Sequence, residues 1–170
     1  MVLGKMPYNS EQIAIPMEAS VSKTAVVDVP QPPDLFRRVQ KLLGVHRLRT
    51  DQDLVRLVED GLATNAIDEL LRAGLTDDEI YSLILPRRTL THRRARREAL
   101  NLEESDRAVR LARLAALAEQ VFGEPERAWR WLRASKRHLD GRSPLQFMAT
   151  EAGARLIEEL LHRIDEGMAA

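Results

Sequence analysis

Hydrophobic positions after Pro33 recur every three or four residues, and before it they follow no sustained period. Leu35, Phe36, Val39, Leu42 and Leu43 form the first such stripe, closed by Gly44. Apolar residues at that spacing share one face of a helix and bury it. Thr50 is placed to cap a second helix carrying Leu54, Leu57 and Val58 as far as Gly61, and a third spans 65–73 before Gly74. Thr76-Asp77-Asp78-Glu79 has the form of a capping box, in which the threonine hydroxyl takes the glutamate N–H and the glutamate carboxylate takes the threonine N–H. It opens a short helix with Ile80, Leu83 and Ile84. Leu85-Pro86 closes that helix, because the residue before proline disfavours the helical region, and Pro86 suits the first position of another.

The second half repeats the pattern. Asn101-Leu102-Glu103-Glu104 is a further capping arrangement and starts the longest predicted helix, with Leu111, Leu114, Ala118 and Val121 as its stripe and Gly123 as its stop. Ala112, Ala115 and Ala116 let neighbouring helices approach it closely. A helix over 126–137 is expected to bury Ala128, Trp131 and Leu132 and to leave Trp129 on a flank. Ser143-Pro144 opens a helix with Leu145, Phe147 and Met148, and Gly153 separates it from a last one carrying Leu156, Ile157, Leu160, Leu161 and Ile164 up to Gly167. The expected fold is all-α. Residues 1–33, broken by Pro7, Pro16, Pro30, Pro32 and Pro33, read as a flexible arm with a strand or clip at 24–29.

Charge changes the picture at one place. The 26 basic residues match 26 acidic ones over 170 residues, so no global bias marks a nucleic-acid or membrane partner. Yet PRRTLTHRRARR, 86–97, holds Arg87, Arg88, Arg93, Arg94, Arg96 and Arg97 and no acid. On a helical wheel these arginines surround the helix and leave only Leu90 and Ala95 to face a core. Two short helices with a tight break, the second rich in arginine, have the outline of a helix-turn-helix. Guanidinium forks match phosphate oxygens and guanine edges, which makes Arg87, Arg88, Thr89, Thr91, Arg93 and Arg94 the candidate DNA-binding residues. The competing reading is a solvated basic helix with no ligand.

Other chemistry is sparse. The chain has no cysteine, which excludes disulfides, cysteine nucleophiles and thiolate zinc sites and fits a reducing cytoplasm. His46, His92, His138 and His162 are scattered, so no metal site and no cofactor is expected. Glycine-rich phosphate loops and a nucleophile elbow are missing, and Gly141-Arg142-Ser143 reads as a loop ending in a helix cap. His138 and Asp140 read as surface residues of a polar loop. The expectation is a soluble protein that is not an enzyme, without a secretory signal and without a membrane partner.

Several short motifs then line up in order: Arg-Thr-Leu at 88–90, Glu-Ser-Asp-Arg at 104–107, Phe-Gly at 122–123, Trp-Leu at 131–132, Gly-x-x-Pro at 141–144, Gly153, and Arg-Ile-x-x-Gly at 163–167. In this, about the last 120 residues resemble the Xre/MbcA/ParS antitoxin family. Ser135-Lys136 stands where that family often has a proline after Trp-Leu, and Asn101 stands where a serine is usual. The resemblance implies an Xre-like helix-turn-helix bundle followed by a helical toxin-binding domain, in a type II antitoxin. The implied partners are a RES-domain toxin that consumes NAD or transfers its ADP-ribose, and the operator of the antitoxin's own operon. A homodimer within a larger toxin–antitoxin complex is the matching assembly. The division expected is 1–33 arm, 34–101 DNA-binding domain and 102–170 toxin-binding domain. Glu151, Glu158, Glu159, Asp165 and Glu166 outnumber Arg155 and Arg163 near the end, which suits a toxin pocket built for an anionic dinucleotide. The candidate toxin-binding residues are therefore Arg155, Glu158, Glu159, Arg163, Glu166, Gly167 and Met168. A stand-alone helix-turn-helix regulator without a toxin, and a toxin-neutralising module without DNA binding, are the alternatives.

Overall fold

The computed structural model describes residues 34–167, so the strand or clip expected at 24–29 and the tail from Met168 lie outside the described residues. The described residues are helical throughout: α1 Asp34–Leu43, α2 Asp51–Asp60, α3 Asn65–Arg72, α4 Asp77–Leu83, α5 Arg87–Arg96, α6 Leu102–Phe122, α7 Pro125–Arg133, α8 Pro144–Phe147 and α9 Glu151–Asp165, with a 3-10 turn at Arg137–Leu139. The caps fall where the sequence puts them. Thr50, Thr76, Asn101 and Ser143 each accept the N–H three residues on, and each receives a side-chain acceptor in return from Asp53, Glu79, Glu104 and Gln146.

The organising element is α6. Its 21 residues run roughly 31 Å, and it packs against α1, α2, α7 and α9. Ala108, Ala112, Ala115, Ala116 and Ala118 are all buried on it, so neighbours reach it on several sides without large side chains holding them off. Leu111 and Leu114 are buried with them, while Val121 and Phe122 at its end are half-buried. One continuous core results, joining Val39, Leu42 and Ile67 of the N-terminal helices to Leu132, Ile157 and Leu161 of the C-terminal ones. The division expected between 101 and 102 falls at the start of this shared helix.

Four details differ from the sequence expectation. Pro86 is the residue before α5 rather than its first, with an extended ψ of 148° that the fixed proline φ equally allows. α7 begins at Pro125 and stops at Arg133, because Ala134 turns extended and the 3-10 turn carries Leu139 back into the core. The tryptophans exchange places: Trp129 is buried, 6% exposed, and Trp131 is half-buried, its ring centroid 5.3 Å from that of Phe122 in a tilted pair. Gly153 does not separate two helices. It lies inside the first turn of α9, where a Cβ would stand 2.1 Å from the carbonyl oxygen of Phe147, so glycine is needed for the close approach of α8.

Candidate DNA-binding helix and toxin-facing helix

α4 and α5 are joined through Ile84, Leu85 and Pro86. Ile80, Ile84, Leu85 and Leu90 are all buried and fix the two helices against the core. Ala95 is exposed, so Leu90 alone anchors α5 from within. The arginines of α5 separate into two groups. Arg87 and Arg88, at its first two positions, are exposed and form no ion pair among the described residues, and neither does Arg97 just after it. Among the described residues no side chain caps the α5 N-terminus, so the N–H groups of its first turn, where Arg87 and Arg88 sit, have no side-chain acceptor.

The other arginines are committed within the fold. Arg93 is only 18% exposed in its side chain and lies against Glu104 of α6, with Nε 2.6 Å from Oε2 and Nη2 donating to Oε1 at 3.2 Å. It also donates to the carbonyl of Ala99 at 3.1 Å. Arg94 reaches across to Asp68 of α3 at 2.6 Å, and Arg96 pairs with Glu98 at 3.8 Å. Thr89 is half-buried, and the Thr91 hydroxyl donates to the carbonyl of Arg87 at 3.0 Å. Of the six candidate DNA-binding residues, Arg87 and Arg88 are thus the two free cations at the helix tip. Arg93 and Arg94 brace α5 from behind, and both keep part of their side chain in water.

The Glu-Ser-Asp-Arg motif explains that bracing. Glu104 is 5% exposed and serves at once as the cap acceptor for the Asn101 N–H, at 2.9 Å, and as the partner of Arg93. Ser105 is fully buried, and its hydroxyl accepts the Leu62 N–H at 3.0 Å and donates to the carbonyl of Leu100 at 3.4 Å. The motif therefore locks the α5–α6 junction to the loop after α2.

On α9, Ala154, Ile157, Leu160 and Leu161 face inward, with Ile164 half-buried. The candidate toxin-binding residues divide between two stripes. Glu158 is held by Arg113 of α6, and Arg155 pairs with Glu151 at 3.0 Å, which in turn meets Arg110 at 3.2 Å. The second stripe runs Leu156, Glu159, Arg163 and Glu166, spaced by three, four and three residues, with Gly167 beyond it at φ +73°. Among the described residues Glu159, Arg163 and Glu166 form no ion pair. Leu156 is 49% exposed rather than part of the core, an apolar residue in an otherwise charged stripe. Met168 lies outside the described residues.

A groove of about 790 Å³ between α2, α6 and α9 escaped the sequence reading, because its lining comes from three distant segments. Leu54, Val58, Val109 and Ala154 form its apolar side, and Arg107, Arg110 and Arg155 its charged rim. The signal in the sequence was that Val55 and Leu102 lie off the apolar stripes of their helices, and both are exposed, at 55% and 59%. Among the described residues no group of three His, Asp or Glu side chains could hold a metal ion. None of the described helices is long and apolar enough to cross a membrane.

The fold and the arginine-bearing second helix define a helix-turn-helix protein with an appended helical domain. Residues 53–113 match the family model described as the antitoxin Xre-like helix-turn-helix domain, and residues 117–167 match the antitoxin Xre/MbcA/ParS C-terminal toxin-binding domain. The antitoxin Xre of Pseudomonas putida is 37% identical over 130 residues, covering 76% of this chain and 82% of that protein. The antitoxin Xre of Yersinia enterocolitica is 31% identical over 118 residues, covering 68% of this chain and 80% of that protein. The chain belongs to the Xre/MbcA/ParS antitoxin family.

Proposed function

We propose that this antitoxin represses its own operon through the tip of α5 and silences a RES-domain toxin, of NAD-consuming or ADP-ribosyl-transferring chemistry, with the outer stripe of α9 and the tail that follows. The observation that carries the DNA half is the state of the arginines. Arg87 and Arg88 are exposed, have no ion-pair partner among the described residues, and stand beside uncapped helix N–H groups. A helix N-terminus and free guanidinium groups together suit a phosphate backbone. Thr89 and Thr91 flank that tip, and Arg93 and Arg94 keep it rigid while leaving partial access to DNA. A homodimer reading two half-sites is the matching assembly.

The test is a salt titration of binding to a duplex taken from immediately upstream of the antitoxin's reading frame. Replacing both Arg87 and Arg88 by alanine is expected to lower the log–log salt slope by about 0.9 for each phosphate that the chain no longer neutralises. Binding as tight as that of the parent chain at every salt concentration would remove α5 from the interface.

For the toxin half, the supporting features are Glu159 and Glu166, which form no ion pair among the described residues, the exposed Leu156 beside them, and a helix that ends at Asp165, two residues before Gly167. Such acids can take up arginines that the toxin would offer to a pyrophosphate. Deleting residues from Gly167 onward is expected to restore NAD consumption in the reconstituted complex with the toxin of the adjacent reading frame. Full silencing by the shortened chain would move inhibition to another surface, Arg155 and Glu158 on the inner stripe being the next to try.

A further inference from the structure

We propose that Arg133, a residue of the C-terminal domain, is a positioning residue for DNA binding: it clamps the N-terminus of α4 and so sets where α5 meets the duplex. This rests on the reading of α5 as the DNA-facing helix.

The clamp begins from a shared carboxylate. Glu79 Oε2 accepts the Thr76 N–H at 2.8 Å, which is the return half of the α4 capping box. The same carboxylate takes Arg133 in fork geometry, from Nε to Oε1 at 2.6 Å and from Nη2 to Oε2 at 2.8 Å. Nη2 donates again to the carbonyl of Gly74, in the loop leading into α4, at 2.6 Å. The guanidinium also sits 5.2 Å over the ring of Trp129, one turn earlier on α7. One side chain therefore ties α7 to both ends of the Gly74–Glu79 turn. The turn is closed on another side as well, because the buried Trp129 indole packs against Gly74, where a Cβ would come within 3.2 Å of Nε1.

α4 needs such a tether. It has seven residues, only Ile80 among them fully buried, and a helix that short is marginal without outside support. Its substantial packing is on α3 alone. Towards α8 its side is open: a solvent-facing pocket of about 290 Å³ is lined by Ser82 and Leu83 on one side and Leu145 and Gln146 on the other. The Arg133 fork crosses that open side where side-chain packing does not. Since α5 follows α4 after three residues, a tilt of α4 carries Arg87 and Arg88 with it.

The experiment compares the full chain with Arg133→Ala, Glu79→Gln and the double variant, binding the same upstream duplex well below every melting temperature. Each single variant is expected to weaken binding about tenfold, within the usual range of coupling between sites, and the double variant no further. Glu79→Gln is the decisive arm. Removing an acid strengthens DNA binding by charge alone, so weakening can come only from impaired positioning. A clamp that merely stabilised the fold would lower the melting temperature and leave affinity intact. Unchanged affinity in Arg133→Ala, tighter binding by Glu79→Gln, or additive losses in the double variant would each overturn the proposal. Hydrogen exchange supplies a readout without DNA: amides of α4 should exchange faster in Arg133→Ala, and unchanged exchange would also overturn it. If the parent chain itself does not bind the duplex, the reading of α5 fails, and the proposal fails with it even where α4 exchange rises.

Discussion

Glu104→Ala is expected to lower the stability of the fold by about 3 kcal/mol, the lower end of the cost of stripping a buried ion pair of one partner. Glu104 is 5% exposed and holds Arg93 at 2.6 Å, while its other duty is to cap α6 through the Asn101 N–H. Alanine removes both at once. Arg93 is left with the Ala99 carbonyl and with Glu98 at 3.6 Å, and its 18% exposure admits some water, which is why the cost stays at the lower end. Glu104→Gln keeps an acceptor for the cap and costs less. Urea denaturation of the two variants beside the parent chain gives the order. A Glu104→Ala midpoint equal to the parent's would mean that Arg93 finds an equivalent partner, and that the motif does not lock the α5–α6 junction.

Trp129→Ala costs more, ~3–5 kcal/mol, through the cavity left by a large buried side chain. For a chain of this length that is a fall of roughly 10 °C in melting temperature. Trp131→Ala removes a half-buried ring paired with Phe122 and costs only about 1–2 kcal/mol. Trp129→Phe is the informative middle case. The indole Nε1 is buried and has no hydrogen-bond partner among the described residues, so phenylalanine gives up volume but also removes an unpaired donor. Thermal melts of the three variants decide the matter, and a larger loss for Trp131→Ala than for Trp129→Ala would return Trp131 to the core.

That exchange of tryptophans marks where sequence pattern runs out. Taking the line midway between Ala128 and Leu132 as the buried face of α7, Trp129 and Trp131 lie about 80° to either side of it, at 3.6 residues per turn. Periodicity cannot choose between two such positions. A distant residue favours Trp129: Gly74 has no side chain, which lets the Trp129 ring pack closely against the turn before α4. The caps at Thr50, Thr76 and Asn101 were legible because each is closed within four residues. The bracing of α5 was not, because the partners of Arg93 and Arg94 lie 11 and 26 residues away in sequence. A run of arginines looks uniform until the fold assigns acids to some of its members. Gly153 misled for a related reason: a glycine near a helix start reads as a break, whereas here it admits the carbonyl of Phe147 to van der Waals range.

The stretches matched to the two family domains end at residue 113 and begin at residue 117, and the three residues between, Leu114, Ala115 and Ala116, are buried in the middle of one unbroken helix. Among the described residues α6 offers no break at which the two matched domains could be separated, each intact. A protease that opens α6, or a mutation that frays it, dissolves both surfaces in the same event. Under the function proposed above, whatever removes this antitoxin from service lifts repression and toxin silencing together rather than one after the other.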